Sequence, residues 1–269
     1  MLRCTNRTLA LKFPFDFYVV VDNSTSVRIF SRRAFFLLVA PVRQIGNFTL
    51  RTALLNTSVK FMRKGELTRA AILDVALDLS SRDGLEGLTI GLLADKMNMS
   101  KSGVFAHFGS REDLQMEVLK LYHYRFEQEV FFPSMKEPRG IQRLQSMFAR
   151  WVKRVSVEIA SGCIYISGAV EYDDRPGPIR ESLVAMVRAW QGALLRSVEQ
   201  SIATGDLKAD TDAQQLVDEM YGLILALHHD ARFLRVPGSI ERAQAGFVRL
   251  LASYQNPAAA SQEPAVRNQ

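Results

Sequence analysis

From Leu67 onwards, apolar residues recur at the three- and four-residue intervals of amphipathic helices. Residue types that favour helix N-termini stand just before the first four apolar runs, at Thr68, Thr89, Ser100 and Ser110. Gly84 follows the first run, where a glycine can end a helix in the left-handed conformation. The pattern therefore predicts a compact bundle of short helices over residues 62–114.

Residues 89–108 have the sequence TIGLLADKMNMSKSGVFAHF, which predicts two short helices joined by a tight turn. Asn98 lies at the turn, where a left-handed residue is needed and asparagine is tolerated. The outer side of the second helix has small and polar residues, namely Lys101, Ser102, Gly103 and His107. Because the DNA major groove admits a helix and displays base edges, the segment predicts a helix-turn-helix that binds DNA.

Longer helical stretches follow over residues 115–255, separated by breaks rich in proline and glycine. These stretches contain a set of aromatic residues: Phe126, Phe148, Trp151, Tyr165 and Tyr172. As a set they predict a pocket for an apolar or aromatic effector, whereas each residue alone also fits ordinary core packing. Residues 256–269 are predicted to form a flexible tail.

The positive charge of the chain lies mostly outside the predicted helix-turn-helix. The net charge is +6, but residues 1–61 alone have nine Lys and Arg and two Asp, whereas residues 62–269 have 25 Lys and Arg against 26 Asp and Glu. DNA binding by the helical part must therefore depend on locally placed cations and not on a global field.

Residues 1–61 differ in composition from the rest, with eight of the 16 Phe residues and no Glu. The run at 13–21 predicts a strand, and the apolar run at 32–40 predicts a short helix. Because a plausible start follows at Met62, we expect the natural product to begin there, with residues 1–61 being upstream sequence read as protein. The alternative is a basic, aromatic arm that touches DNA or a membrane surface.

The sequence offers little enzymatic or metal chemistry. Its two cysteines, Cys4 and Cys163, form no disulfide framework and no zinc spacing, so a cytoplasmic location is expected. Cys163 is predicted to be either a structural thiol or a redox-reactive one. Adjacent residues such as His228 and His229 diverge by about 100° on a helix, so no metal and no cofactor are predicted. No apolar run approaches the roughly 20 residues of a membrane helix.

Residues 65–119 resemble the DNA-binding domain of the TetR family of bacterial transcriptional regulators, and VFAHFGSREDL at 104–114 has the family's aromatic, His, Phe and capped helix start. The resemblance implies an all-α protein with an N-terminal three-helix DNA-binding domain and a larger effector-binding and dimerisation domain. It implies a regulator, expected to be a repressor, that binds a palindromic double-stranded operator and is released by a small molecule. The alternative is a helical ligand-binding protein or enzyme in which the helix-turn-helix is only structural.

The resemblance also implies DNA contacts for eight residues: Thr89, Ser100, Lys101, Ser102, Gly103, Phe105, His107 and Arg111. The hydroxyl of Thr89 and the side chains of His107 and Arg111 would reach phosphates. Lys101 and Ser102 would face base edges or phosphates, and Gly103 would allow a close approach. Phe105 stands where the family usually has Tyr, so a hydroxyl contact to phosphate is absent, while contact with a thymine methyl is possible.

Dimerisation is implied through two long helices, expected around residues 180–204 and 212–235, which would form a four-helix bundle with a second copy. One recognition helix covers only a few base pairs, and two copies spaced about one DNA turn apart provide useful specificity. The expected partners are therefore operator DNA, a second copy of the chain and an effector of unknown identity, with no membrane.

Overall fold

The computed structural model describes four strands within residues 9–41 and every residue from 64 to 257. It divides into two compact units, Met1–Ala71 and Ile72–Gln269. The first helix is α1 (Lys64–Asp83).

The N-terminal segment forms an antiparallel sheet in the order β1-β2-β3-β4. The strands are β1 Leu9–Lys12, β2 Phe17–Val21, β3 Ser26–Ser31 and β4 Ala34–Pro41. The predicted strand at 13–21 is confirmed over β2. The predicted helix at 32–40 is wrong, because β4 occupies most of it and pairs with β3. A short apolar run does not distinguish strand from helix by its periodicity, so pairing with a neighbour decides. The start at Met62 stays a prediction.

The helix-turn-helix part consists of α1, α2 (Ile90–Met97), α3 (Lys101–Phe108) and the start of α4 (Arg111–Phe126). Three predicted caps are confirmed: Thr89, Ser100 and Ser110 each accept a backbone N–H of the first turn, at 3.1, 3.1 and 3.0 Å. The predicted cap at Thr68 is wrong, since α1 already begins at Lys64. Asn98 has a φ of 52°, as the turn requires.

The C-terminal part continues as helices. A π-helical turn (Glu127–Phe131) and α5 (Phe132–Ser134) follow α4, and then come α6 (Ile141–Ser161), α7 (Ile164–Tyr172) and α8 (Pro178–Ala203). After α8 come α9 (Ala213–His228), a π-helical turn (His229–Phe233) and α10 (Ser239–Tyr254). The all-α prediction is confirmed over residues 64–257, within which the structure has no strand. The expected domain boundary between residues 114 and 115 falls inside α4, so one helix belongs to both parts.

Helix α8 lies in the middle of the C-terminal part and packs against α4, α6, α7 and α9. Its Trp190 is buried and makes edge-to-face contacts with Phe126 and Trp151, at centroid distances of 4.9 and 5.3 Å. Helix α8, the first of the two helices expected to dimerise, therefore contributes buried side chains to the core. Its role in a dimer stays a prediction.

The first residue of the predicted tail contacts the helical part. The side-chain amide of Asn256 donates to the carbonyl of Gly205 at 3.1 Å, which holds the chain just after α10. Residues 258–269 of the predicted tail lie outside the described residues. Among the residues that the structure describes, no helix is both long and apolar enough to cross a membrane.

Candidate nucleic-acid interface

Helix α3 has one buried face and one exposed face. Val104 and Phe108 are buried in the core, whereas Lys101, Ser102 and Phe105 are exposed. Phe105 exposes 53% of its surface, so its ring is accessible to a partner. The exposed face therefore has a cation, a hydroxyl and an aromatic ring, the kinds of group that contact phosphates and thymine methyls.

Lys101 extends across helix α2 towards Thr89. A Cβ placed on Gly91 would lie 3.3 Å from Cε and 3.6 Å from Nζ of Lys101, and 3.9 Å from Oγ1 of Thr89. The ammonium group and the hydroxyl thus flank Gly91 in the first turn of α2, where backbone N–H groups favour an anion. Gly91 was not identified from the sequence, because its role depends on how α2 and α3 pack.

Two residues of the predicted set have local structural roles. Ser100 accepts the N–H of Gly103 at 3.1 Å, and its hydroxyl is 3.2 Å from that of Ser102. A Cβ on Gly103 would also lie 3.1 Å from Oγ of Ser100, so a larger residue would crowd the cap. His107, in the last turn of α3, is half-buried with its ring 6.3 Å from that of Phe108.

Arg111, predicted to contact a phosphate, contacts the loop between α1 and α2. Its Nε donates to the carbonyl of Leu88 at 2.9 Å, and its Nη2 donates to the carbonyl of Glu86 and lies 3.2 Å from Oε2 of Glu86. The guanidinium therefore fixes the loop between α1 and α2 from the start of α4. Because all these partners lie at least 23 residues away in sequence, local patterns could not indicate this role.

The same loop is fixed from the other side by helix α7. Tyr172 donates its hydroxyl to Oε1 of Glu86 at 2.6 Å, and Glu171 accepts the N–H of Glu86 at 2.9 Å. The side-chain amide of Gln115 donates to the carbonyl of Leu85 at 2.6 Å. We call these four residues, Glu86, Gln115, Glu171 and Tyr172, the junction network. It ties the helix-turn-helix to the C-terminal helices through defined hydrogen bonds.

A close backbone contact lies beside the junction network. Gly162, between α6 and α7, has a φ of +99°, and a Cβ there would lie 1.9 Å from the carbonyl oxygen of Ser81 in α1. Only glycine permits both the conformation and the approach. The turn between α6 and α7 therefore packs directly against α1, the helix that precedes the helix-turn-helix.

We expect Glu86→Gln to lower the free energy of unfolding at neutral pH by less than about 1 kcal/mol, since the side chain is partly exposed. The hydrogen bond from Tyr172, with the nearby charges of Arg111 and Arg175, lowers the pKa of Glu86. Because the pKa of Glu86 is lower in the folded protein than in the unfolded chain, its ionised carboxylate stabilises the fold at pH values above the unfolded pKa. This stabilisation is lost as the pH falls through the folded pKa.

Urea unfolding at neutral and acidic pH measures this effect. The difference between the wild type and Glu86→Gln should shrink in acid, where Glu86 is protonated in both states. Glu112→Gln, at an exposed position in the first turn of α4, is the control and should show no such change. A difference that widens in acid would contradict the assigned role of Glu86.

The five aromatic residues predicted to form an effector pocket are all buried in the core. Tyr165 contacts Phe126, Trp151 contacts Trp190, and Phe148 stacks on Phe247 at 3.9 Å. Phe126 lines a cavity of about 160 Å³, which is smaller than the usual pocket for a drug-sized ligand. The five residues therefore pack in the core, Tyr172 belongs to the junction network, and an effector pocket at this set stays a prediction.

A larger crevice of about 1030 Å³ lies elsewhere, between the end of α1, the turn between α6 and α7, and the end of α9. Its lining includes Gly84, Cys163, Glu171, His228 and Arg232. Burial and then the charge of Glu158 raise the pKa of Cys163 to about 12, so its thiol is protonated at neutral pH. This favours the structural alternative over a reactive thiol. The crevice borders both the junction network and the close contact at Gly162.

Comparisons with known proteins agree with this architecture. Residues 72–118 match the family profile "Bacterial regulatory proteins, tetR family", and residues 140–247 match "Tetracyclin repressor-like, C-terminal domain". A search of curated proteins found no significant match.

Solved structures with the same fold include a TetR transcriptional regulator from Chloroflexus aurantiacus J-10-FL, with a TM-score of 0.66 and 21% identity over 72% of this chain and 98% of that chain. Reduced NemR of E. coli has a TM-score of 0.57 and 20% identity over 71% and 99% of the two chains. AibR, solved with isovaleryl coenzyme A and operator DNA, has a TM-score of 0.53 and 18% identity over 70% and 98%. With both family profiles matched in order along the helical part, this chain belongs to the TetR family of bacterial transcriptional regulators.

Proposed function

We propose that this TetR-family regulator binds a palindromic operator as a homodimer, with α3 in the major groove, and represses transcription in the bacterial cytoplasm until a small molecule binds. The observation that supports this most is the exposed face of α3 together with the placement of Lys101. No enzymatic role is proposed, because the exposed face of α3 suits recognition of DNA.

The groups at the start of α2 form a site that suits a phosphate. Thr89 and Lys101 flank Gly91, and the small glycine leaves the first backbone N–H groups of α2 accessible. A phosphate held there would fix the register of α3 on the duplex. Ser102 and Phe105, on the outer face of α3, would then face the base edges. Arg111 would act indirectly, by positioning the loop that precedes α2.

The surface that suits a second copy is on α9 and α10. Large apolar side chains are exposed there and in the segment between these helices, among them Leu225, Phe233, Leu234 and Val248. Phe233 and Val248 expose 76% and 66% of their surface, and apolar groups exposed to this degree on neighbouring elements are typical of a protein interface. We therefore assign dimerisation to α9 with α10, in place of α8 with α9.

The crevice beside the junction network is the proposed effector site. AibR, a structural neighbour, was solved with isovaleryl coenzyme A and operator DNA, which is a precedent for a small ligand in this fold. In this chain, a ligand that changes the turn at Gly162 would act directly on Ser81 of α1. It would thereby shift the population towards dimers whose recognition helices are wrongly spaced, with a coupling free energy of about 1–3 kcal/mol.

Selection of duplexes from a randomised DNA library by the purified full-length protein tests this function. We expect enrichment of an inverted repeat whose half-sites lie about one helical turn, roughly 10 base pairs, apart. Lys101→Ala should weaken binding to the selected operator at every salt concentration and reduce the slope of log K against log salt by about one. Lys153→Ala, an exposed lysine on α6, is the matched control and should bind as the wild type does.

Failure to enrich any sequence would contradict the proposed function and favour the alternative, in which the helix-turn-helix is only structural. Enrichment of a single half-site without a repeat would support DNA binding but contradict binding as a homodimer. If Lys101→Ala leaves the slope of log K against log salt unchanged, Lys101 does not contact a phosphate as proposed.

A further inference from the structure

Three side chains that could bind a metal ion converge at the inner wall of the crevice. They are Glu158 of α6, Cys163 just before α7 and His228 at the end of α9, and their donor atoms all lie within 4.8 Å of one another. Glu158 and His228 are almost completely buried. The three residues are far apart in the chain, and only the packing of α6, α7 and α9 brings them together.

His228 is the unusual member of this group. Its Nε2 is buried and has no hydrogen-bond partner, although it lies 3.5 Å from Oε2 of Glu158. A buried nitrogen without a partner costs roughly 1–3 kcal/mol, so such atoms are rare unless something else satisfies them. Oε2 of Glu158 and Nε2 of His228 are already separated by about the distance between two ligands of one ion.

We propose that Glu158, Cys163 and His228 bind a divalent transition-metal ion of the zinc type. One sulfur, one nitrogen and one oxygen donor form a mixed set that Zn²⁺ and Co²⁺ accept in tetrahedral geometry, with the fourth position open to the crevice. Binding replaces the thiol proton of Cys163, which leaves for solvent, and Sγ becomes a thiolate ligand. No electron is transferred.

The surroundings of Glu158 suit a ligand carboxylate. Tyr122 and Arg154 donate to its Oε1, at 2.6 and 2.7 Å, which leaves Oε2 for the ion. Metal-ligating carboxylates are commonly oriented by such hydrogen bonds. Arg154 also pairs with Glu129 at 2.6 Å, so its charge is shared with a second carboxylate. The thiolate and the carboxylate of Glu158 would neutralise the two charges of the ion, and the crevice provides an entry path, since Cys163 and His228 line it.

Titration of the full-length, chelator-treated protein with Co²⁺ tests the site without any operator. A thiolate bound to Co²⁺ produces a sulfur-to-metal charge-transfer band in the near ultraviolet, and tetrahedral Co²⁺ produces visible bands. We expect both, saturating at a single ion per chain and bleaching when Zn²⁺ is added. Because DNA binding is not involved, the result is independent of the proposed function.

The chain offers a matched control for the thiolate, since Cys4 and Cys163 are its only cysteines. Cys4→Ser should retain the charge-transfer band, and Cys163→Ser should lose it. His228→Gln should weaken Co²⁺ binding at least about tenfold, whereas His229→Gln, whose side chain is exposed, should not. Circular dichroism checks that each variant is folded.

No charge-transfer band in the wild type would overturn the proposal. A charge-transfer band that persists in folded Cys163→Ser would mean an adventitious ion only. Weak binding at several sites, unchanged in all four variants, would mean the same.

Discussion

Replacing Phe105 with glutamate is expected to abolish operator binding while leaving the protein folded. The ring lies on the outer face of α3 and is more than half exposed, so its removal leaves no cavity in the core. In the proposed complex the new carboxylate would lie among phosphates and base edges, where like charges cost several kcal/mol. We expect the affinity to fall at least about 100-fold in a gel-shift titration of the selected operator at fixed salt.

The matched control is Phe132→Glu, which makes the same chemical change at an exposed phenylalanine of α5. Its operator affinity should equal that of the wild type, since α5 has no place in the proposed DNA interface. Equal losses in the two variants would indicate a general effect of the added negative charge. Full binding by Phe105→Glu would place the outer face of α3 outside the groove.

Glu158→Ala is expected to destabilise the metal-free protein by about 3–5 kcal/mol, because it leaves the buried charge of Arg154 without its buried partner. The two side chains expose 9% and 5% of their surface, and Nε of Arg154 lies 2.7 Å from Oε1 of Glu158. The substitution also removes the acceptor for the buried hydroxyl of Tyr122. Denaturant unfolding in the presence of a chelator measures the loss of free energy.

Arg154 itself provides the control, since its second partner, Glu129, is 54% exposed. Glu129→Ala should cost less than about 1 kcal/mol, as pairs with an exposed partner are weakened by solvent. The ratio of the two losses in unfolding free energy tests whether burial determines how strongly Arg154 is paired with each carboxylate. Equal costs for the two substitutions would contradict this explanation.

Much of the helix-turn-helix was predictable because its determinants are local. The caps at Thr89, Ser100 and Ser110 act on N–H groups three residues further along, and Asn98 adopts its positive φ within a single turn. The wrong predictions arose where local signals conflict or are weak. The cap at Thr68 failed because α1 extends one turn further back, and the apolar run at 32–40 became a strand through its pairing with β3.

Contacts between distant residues added structural roles that local patterns did not indicate. Arg111, predicted to contact a phosphate, directs its guanidinium at the loop between α1 and α2. The aromatic residues have the composition of a pocket, yet they pack on one another. The two adjacent histidines diverge as expected, with His228 buried and His229 exposed. The two histidines do not face one another, so they do not share an ion. His228 instead lies near Glu158 and Cys163, which are distant in the chain.

The sequence by itself determined the helices from α1 onwards, the exposed face of α3 and the family, since these depend on periodicity, capping and residue type within short windows. The tertiary structure decided the junction network, the apolar surface on α9 and α10, and the convergence of Glu158, Cys163 and His228. These features join residues separated by up to 86 positions, as in the bond between Glu86 and Tyr172. Local patterns contain no information about which distant helices pack together, and that packing sets the distances within the junction network and between Glu158, Cys163 and His228.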